Sequence, residues 1–575
     1  MNCGLGNAKR PRLNANQATI IPTMNPAAHA IESPADEALN QVPPLTNYNL
    51  FLTDATLVKA VEREGAGWAR EQISELGFLL GTEEAQSWGF DANENLPVLH
   101  THDRFGNRRD EVVFHPAWHS LMRTSIANKL HSLPWIEKQN GAHVARAALM
   151  MITAQNDAGH TCPISMTFSG VAALRTEPEL AREWEPRIVS SEYDPHFRPP
   201  EEKTGVLLGM GMTEKQGGSD VRANLTRAER IGHSREYLVT GHKWFCSAPM
   251  CDAFLILAQA SKGLSCFLLP RWTPEGERNH FHIQRLKRKM GNRSNASSEV
   301  EFANAWAQLV GEEGRGVSAI IEMVHHTRLD CAIAAAALMR QAVVQAAHHA
   351  RHRKAFGKLL IDQPLMSNVL ADLLLESEAA TLLMVRLARS FDARDSDPHE
   401  RAFARIATAV GKYWLCKRAC VQVGEALECL GGNGYVEESV MPRLYREAPL
   451  NSIWEGSGNV ICLDILRALA KEPAALDALV HEIRQVRGMD RRVDEFTQGL
   501  ESQLTRAQQG GDVEAQARRL AERLALALQA SLMVRHSSQA MAEAFLISRL
   551  NADHGYTFGT LPEGADVKAI LQLNS

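Results

Sequence analysis

Ten cysteines are spread through 575 residues without a Cys-x-x-Cys pair or a zinc-ligand spacing, so no metal clip or disulfide framework organises the chain. Cys416 and Cys420, at helical spacing in an apolar stretch, read as small core side chains, the pattern of a protein in a reducing cytoplasm. Positive charge is also short, with 62 Lys and Arg against 67 Asp and Glu and a formal charge of -5. That excludes a globally basic nucleic-acid binder and restricts any DNA contact to a local patch. No uninterrupted apolar run reaches membrane-spanning length. The longest candidate, Cys331 to Ala347, is alanine-rich and broken by Arg340 and Gln341, so a soluble protein without a membrane partner is expected.

What the chain does have is 45% apolar residues, enough for several buried cores and three or four domains. Residues 1–44 contain Lys9, Arg10 and Arg12 among Asn, Pro and Ala and read as a disordered tail. A transit peptide is the weaker alternative there, since no amphipathic stripe is visible, and Met24 is an alternative start. Residues 45–203 show helical apolar spacing around a loop-rich insert from Asp91 to Asp110. Residues 204–309 change to short apolar runs (G-V-L-L-G-M, E-Y-L-V-T, A-F-L-I-L-A, S-C-F-L-L-P) separated by turn residues, which predicts a β domain. Helical periodicity returns at Val317–Arg353, Pro364–Phe391 and His399–Leu430 within residues 310–471, a helical bundle. Residues 472–575, rich in Ala, Leu, Gln and Arg with a break at Gly510 and Gly511, add a further helical domain. The fold class is α+β.

The segment N-S-I-W-E-G-S-G-N, Asn451 to Asn459, sets one carboxylate, Glu455, between an aromatic and glycine-flanked small residues just before an apolar helix, Val460–Ala470. A lone carboxylate between Ile453 and Trp454 on one side and small residues on the other reads as a base in a desolvated setting; a helix-entry Glu favoured by the dipole is the plainer alternative. It follows the backbone-permissive turn L-G-G-N-G-Y, Leu430 to Tyr435. M-T-E-K-Q-G-G-S-D, Met212 to Asp220, follows a strand and offers backbone amides and the hydroxyls of Thr213 and Ser219; alone it would be an ordinary turn. In G-H-K-W-F-C-S, Gly241 to Ser247, strand alternation should send one of Trp244 and Phe245 into the core. H-R-K-A-F-G-K-L-L, His352 to Leu360, ends a long helix with a guanidinium, Arg353, able to pair with a diphosphate. His348 and His352 share a helical face, but Arg351, Arg353 and Lys354 would repel a cation, so no metal is expected.

Taken in order from Met212 to Ala470, these motifs, with K-M-G-N-R-S (Lys289 to Ser294) and H-T-R (His326 to Arg328), resemble the acyl-CoA dehydrogenases. The resemblance implies FAD as cofactor and Glu455 as the carboxylate that takes a proton from the carbon next to a thioester. It places Met212, Thr213, Ser219, Phe245, Ser247, Trp454, Ser457 and Asn459 at the flavin, with Gly431 and Gly432. Arg353 would reach the flavin diphosphate of a neighbouring subunit, and Arg328 would lie in the substrate cleft. Two departures stand out: Glu428 where the family has Gln, and His325 where an Asp is common. The second removes a polar partner for a CoA adenine.

The Lys-Gln of T-E-K-Q-G-G-S-D, the run N-S-I-W-E-G-S-G-N, F-H-P-A-W-H (Phe114 to His119), C-P-I-S-M-T-F (Cys162 to Phe168) and the helical extension are more similar to an AidB-like branch, bacterial flavoproteins of the adaptive response to DNA alkylation. That resemblance implies a homotetramer that binds double-stranded DNA and retains weak acyl-CoA dehydrogenase activity. Candidate DNA contacts are Arg467, Arg484, Arg487, Arg491, Arg492, Arg518, Arg519 and Arg523, assembled across subunits because acids outnumber bases slightly in the extension. Alone, those rows would be salt-bridged solvated faces. A metabolic acyl-CoA dehydrogenase without a DNA role is the alternative.

Overall fold

A computed structural model describes residues 40–508, 513–551 and 555–573. The tail expected over the first residues, apart from its last few, and the Gly510–Gly511 break lie outside the described residues. Val42–Ser575 forms one compact unit. Helices between Ala55 and Ile188 come first, then strands between Leu208 and Val310, then long helices from Gly316 to Lys471, and last the helices Pro473–Ile483, Arg491–Gln508, Ala517–His536, Gln539–Arg549 and Val567–Leu573.

The β region is a seven-stranded sheet. Glu236–Ser247 pairs antiparallel with Ser297–Val310, which pairs with Gly263–Pro270, which pairs with Ala253–Ala260; that strand returns through Arg227–Arg230 to Glu236–Ser247, so the sheet closes on itself. Apolar residues fill its interior, with Phe254, Phe267 and Phe281 fully buried.

Three long helices, Gly316–His352, Pro364–Ala393 and Pro398–Cys429, pack through alanine-rich faces. Gly316–His352 has the length and composition of a membrane span, yet 89% of its most apolar window is buried inside the protein; it is the central core helix. The C-terminal extension is welded to this bundle. Arg549 binds Asp372 at 2.5 Å and Glu376 at 3.1 Å. Glu482 joins Arg386 at 3.0 Å and also meets Arg535, and Trp414 Nε1 donates to Gln529 Oε1 at 2.8 Å.

One expectation for the N-terminal region fails. The loop-rich insert from Asp91 to Asp110 is the end of the helix Glu83–Glu94 followed by an antiparallel hairpin, Val98–His102 with Arg108–Val113. Its strands are short, and Asp103 organises the turn by accepting the amides of Phe105 and Asn107, so charged and turn residues masked the alternation.

Candidate functional site

Glu455 sits in a turn between the 3-10 segment Ala448–Ser452 and the helix Gly458–Lys471. Its φ is +58° and that of Gly456 is +109°, a left-handed backbone that a non-glycine residue adopts only when its surroundings hold it there. Three neighbouring carbonyls are pinned by buried cations. Lys412 Nζ donates to Trp454 O at 2.9 Å and to Gly456 O at 2.5 Å, and Arg328 Nε donates to Glu455 O at 3.1 Å. The Glu455 side chain faces the core helix, where Thr327 Oγ1 donates to its Oε2 at 2.5 Å. Burial raises its pKa above the usual glutamate value, opposed by the Thr327 hydrogen bond and by Lys412 and Arg328. The desolvation has a different source from the one expected, because Ile453 is 62% exposed. The core helix covers the carboxylate instead.

Arg328, expected in the substrate cleft, is buried. Its Nη1 binds Asp464 at 2.6 Å, and Arg405 shares that carboxylate at 3.0 Å. Lys412 and Asp464 carry no motif signal, and Thr327 is marked only as the middle of H-T-R, without a role; Lys412 is marked only by being a cation amid the apolar positions of a long helix.

The flavin-loop residues Met212 and Thr213 are partly buried and Ser219 is exposed. The loop is fixed from beneath by Glu214 and Lys243, both fully buried and 2.8 Å apart. Glu214 also accepts the amides of Leu225 at 2.6 Å and Thr226 at 3.3 Å. Trp244 N donates to Thr213 O at 2.8 Å, which ties loop to strand. The register shift between Lys243 and Cys246 breaks the alternation. Lys243 and Cys246 therefore point inward, while Phe245 is 49% exposed and Trp244 is partly exposed. Neither aromatic enters the core, contrary to the alternation rule; Lys287 lies over both rings, 3.6 Å from the Trp244 centroid and 4.5 Å from that of Phe245.

Ser247 Oγ lies 3.2 Å from Ser297 Oγ, to which Lys289 donates at 2.9 Å. Burial lowers the Lys289 pKa to about 8. Cys162, buried in the C-P-I-S segment, has Ser247 and Asn295 beside it and feels the Glu455 carboxylate, so the β domain and the Glu455 turn approach each other around it. The residues fit a flavin: an exposed aromatic and a hydroxyl come from the β domain and a partly buried carboxylate from the bundle. Trp454 and Ser457 are partly buried and Asn459 is exposed, next to Glu455 in the same turn and helix start. A Cβ built on Gly431 or Gly432 would meet nothing within 4 Å, which leaves the L-G-G-N-G turn open to a ligand or subunit. Arg353 caps the core helix, leading into a tight hairpin through Phe356 and Gly357, both at positive φ. Glu428 is exposed, turned to solvent on its helix. The rings of His348 and His352 lie 4.3 Å apart, tilted by 45°, and no group of three or more metal-ligating side chains occurs among the described residues.

Of the arginine rows, Arg484 pairs with Glu501 and Arg491 with Glu495, each at 2.7 Å, and Arg492 binds both Asp490 and Glu543 at 2.6 Å. Arg467 is 62% exposed beside Asp464. Arg523 lies over the Phe496 ring, and Arg518 Nε donates to Asn459 Oδ1 at 2.8 Å, bringing the extension to the start of the Glu455 helix. Arg487 and Arg519 are exposed and make no ion pair among the described residues.

Comparison with known proteins places this geometry. Residues 40–195 match the Adaptive response protein AidB N-terminal domain, residues 209–305 the acyl-CoA dehydrogenase middle domain and residues 314–470 the acyl-CoA dehydrogenase C-terminal domain. AidB of Escherichia coli (strain K12) is 47% identical over 508 residues, 88% of this chain and 93% of that protein. Acyl-CoA dehydrogenase family member 11 of Caenorhabditis elegans is 30% identical over 430 residues, 72% of this chain and 69% of that one. The crystal structure of Caenorhabditis elegans ACDH-11 in complex with C11-CoA superposes with a TM-score of 0.80 at 27% identity, covering 88% of this chain and 91% of that one. With its carboxylate, flavin loop and closed β domain in these positions, the chain belongs to the acyl-CoA dehydrogenase family, in its AidB-like branch, and is an FAD-dependent oxidoreductase.

Proposed function

We propose that the protein oxidises an acyl thioester, assembles as a homotetramer and binds double-stranded DNA in the response to alkylation damage. The observation that carries the catalytic reading is Glu455, a single carboxylate at the cleft with its turn pinned and its pKa raised by burial. A raised pKa suits a group that must take a proton from a weakly acidic carbon. FAD, when bound, supplies the acceptor for the hydride that leaves the adjacent carbon. Glu455 takes the α-proton, Thr327 orients the carboxylate, and the hydroxyl of Ser247 with the Phe245 ring faces the cofactor. The C11-CoA bound by the ACDH-11 structure supports an acyl thioester as the substrate class. His325, pushed down to about 4 chiefly by burial, is neutral at pH 7, so it offers no charge to the CoA moiety.

The tetramer is supported by apolar side chains left in water on the segments where the family resemblance puts a neighbour. Phe356 is 97%, Leu365 84% and Tyr435 81% exposed. DNA binding is supported by similarity to AidB and by the exposed Arg467, Arg487 and Arg519. A metabolic dehydrogenase without a DNA role is favoured by one observation, the ion pairs that occupy Arg484, Arg491 and Arg492. The deciding experiment is anaerobic bleaching of the flavin by a panel of acyl-CoAs, with and without duplex DNA, beside a DNA titration of the FAD-loaded protein. Bleaching without DNA affinity selects the metabolic reading. No bleaching by any thioester overturns the catalytic one.

A further inference from the structure

We propose that Lys412 is the positioning residue of the reaction, holding the Glu455 turn in its left-handed conformation and keeping its carboxylate aimed into the cleft. The inference rests on the reading of Glu455 as the base.

Lys412 lies in the middle of the helix Pro398–Cys429 and is 1% exposed. A lysine so deep in a protein is ordinarily paired with a carboxylate. Two lysines of comparable exposure follow that rule, Lys203 with Asp252 and Lys243 with Glu214, whereas Lys289 donates to neutral groups of its own β-domain loop and strand. Lys412 has no ion pair among the described residues, and its hydrogen bonds go to the carbonyls of Trp454 and Gly456, on either side of Glu455. One nitrogen can bridge carbonyls two residues apart only if the chain between them folds back, and Glu455, at φ +58°, is the residue that folds it. Replacing Lys412 would leave both carbonyls unsatisfied and remove the restraint on that conformation.

Its charge acts on the same group. The charged side chains facing the carboxylate are Lys412 from the bundle helix and Arg328 and Asp330 from the core helix. Arg328 is held by Asp464 and Asp330 by Arg146. Among the described residues Lys412 is thus a cation near Glu455 without a carboxylate of its own. It favours the ionised base against burial.

The test uses the full-length FAD-loaded protein. In Lys412→Met, FAD content should stay near the wild-type value. The rate constant for anaerobic flavin reduction by C11-CoA should fall about 10- to 100-fold, the scale expected when a reacting group is misplaced by about an ångström. The concentration dependence on C11-CoA should change little, and the acidic limb of the rate should move to higher pH. Lys412→Arg, which keeps the charge, should recover part of the limb shift. A second readout needs no turnover: a pH titration of the flavin absorbance has a step, absent in Glu455→Gln, whose midpoint should rise in Lys412→Met. Unchanged rate and midpoint in Lys412→Met, with Glu455→Gln inactive, overturn this inference and leave the base assignment standing. Full activity in Glu455→Gln overturns the base assignment itself. Loss of FAD or of the folded state in both Lys412→Met and Lys412→Gln also overturns the proposal, because Lys412 would then be a residue of the fold.

Discussion

Thr327 Oγ1 donates a 2.5 Å hydrogen bond to Glu455 Oε2 across 128 residues of sequence, joining the core helix to the turn that carries the proposed base. The hydroxyl fixes one carboxylate oxygen and leaves the other for a proton. Glu455→Gln keeps the shape and removes the basicity, so flavin reduction by acyl thioesters should fall on the order of 10²- to 10⁴-fold. Bound FAD, read from its absorbance, should be unchanged. Stopped-flow reduction that matches the wild type would place the base elsewhere.

The pH dependence follows from the same carboxylate. Burial raises its pKa above the ordinary glutamate value, partly offset by Thr327, Lys412 and Arg328. A base acts only when ionised, so the reduction rate should climb with pH through a midpoint above the usual glutamate range and then level off. The effect on stability has the opposite sign. A carboxyl whose folded pKa is raised stabilises the fold fully below its unfolded pKa, and that contribution is lost as pH rises through the folded value. A wild-type rate profile whose acidic midpoint lies at or below the ordinary glutamate value would contradict the placement of Glu455 in a desolvated site.

How much of this was legible in the sequence varies with the kind of interaction. The order of helical and strand regions was visible because apolar periodicity is local, and Val317–Arg353 matches the helix Gly316–His352 closely. The base and flavin loop were visible as short motifs. Lys412, Asp464 and the role of Thr327 within H-T-R were not, because each acts through a partner tens of residues away, and no local pattern distinguishes a lysine that reaches carbonyls from one that reaches solvent. The Trp244–Phe245 alternation failed for a local reason, the register shift after Lys243. The arginine rows, taken alone, read as salt-bridged faces, but sequence does not say which arginines are paired; Glu543, which holds Arg492, is 51 residues away.

The extension should behave as part of the bundle. Arg549 meets Asp372 and Glu376, which are 2% and 3% exposed at the side chain. Arg549→Met leaves Asp372 without its ion pair and Glu376 with Arg418 alone, and breaking a buried pair from one side costs about 3–5 kcal/mol. Thermal unfolding of the FAD-loaded protein should shift down by several degrees at pH 7. The Glu376 pKa is lowered, since Arg418 and Arg549 outweigh its burial. Its ion-pair stabilisation is therefore present above the usual glutamate range and lost as pH falls through the folded value, so the deficit should shrink in acid. A melting temperature equal to wild type at pH 7 would show the network to be dispensable.

That attachment determines how DNA binding can be examined. Deleting residues 475–575 would strip Glu482 from Arg386 and Arg549 from Asp372, so a shortened chain would report on folding. Neutralising single arginines is the cleaner route, and the ion pairs select which. Arg487 and Arg519 are exposed without an ion pair among the described residues, whereas Arg492 already holds two carboxylates. A phosphate contact contributes a slope of about -0.9 to the dependence of log affinity on log salt and varies little with sequence. Arg487→Gln with Arg519→Gln should therefore weaken binding to duplex DNA and flatten the salt slope by roughly 1 to 2 per protomer engaged. Arg492→Gln should leave the slope near the wild-type value. Titrations at several salt concentrations, on protein checked for FAD content and oligomeric state, decide between them. If the double variant keeps both its affinity and its slope, the DNA contact lies outside this arginine face.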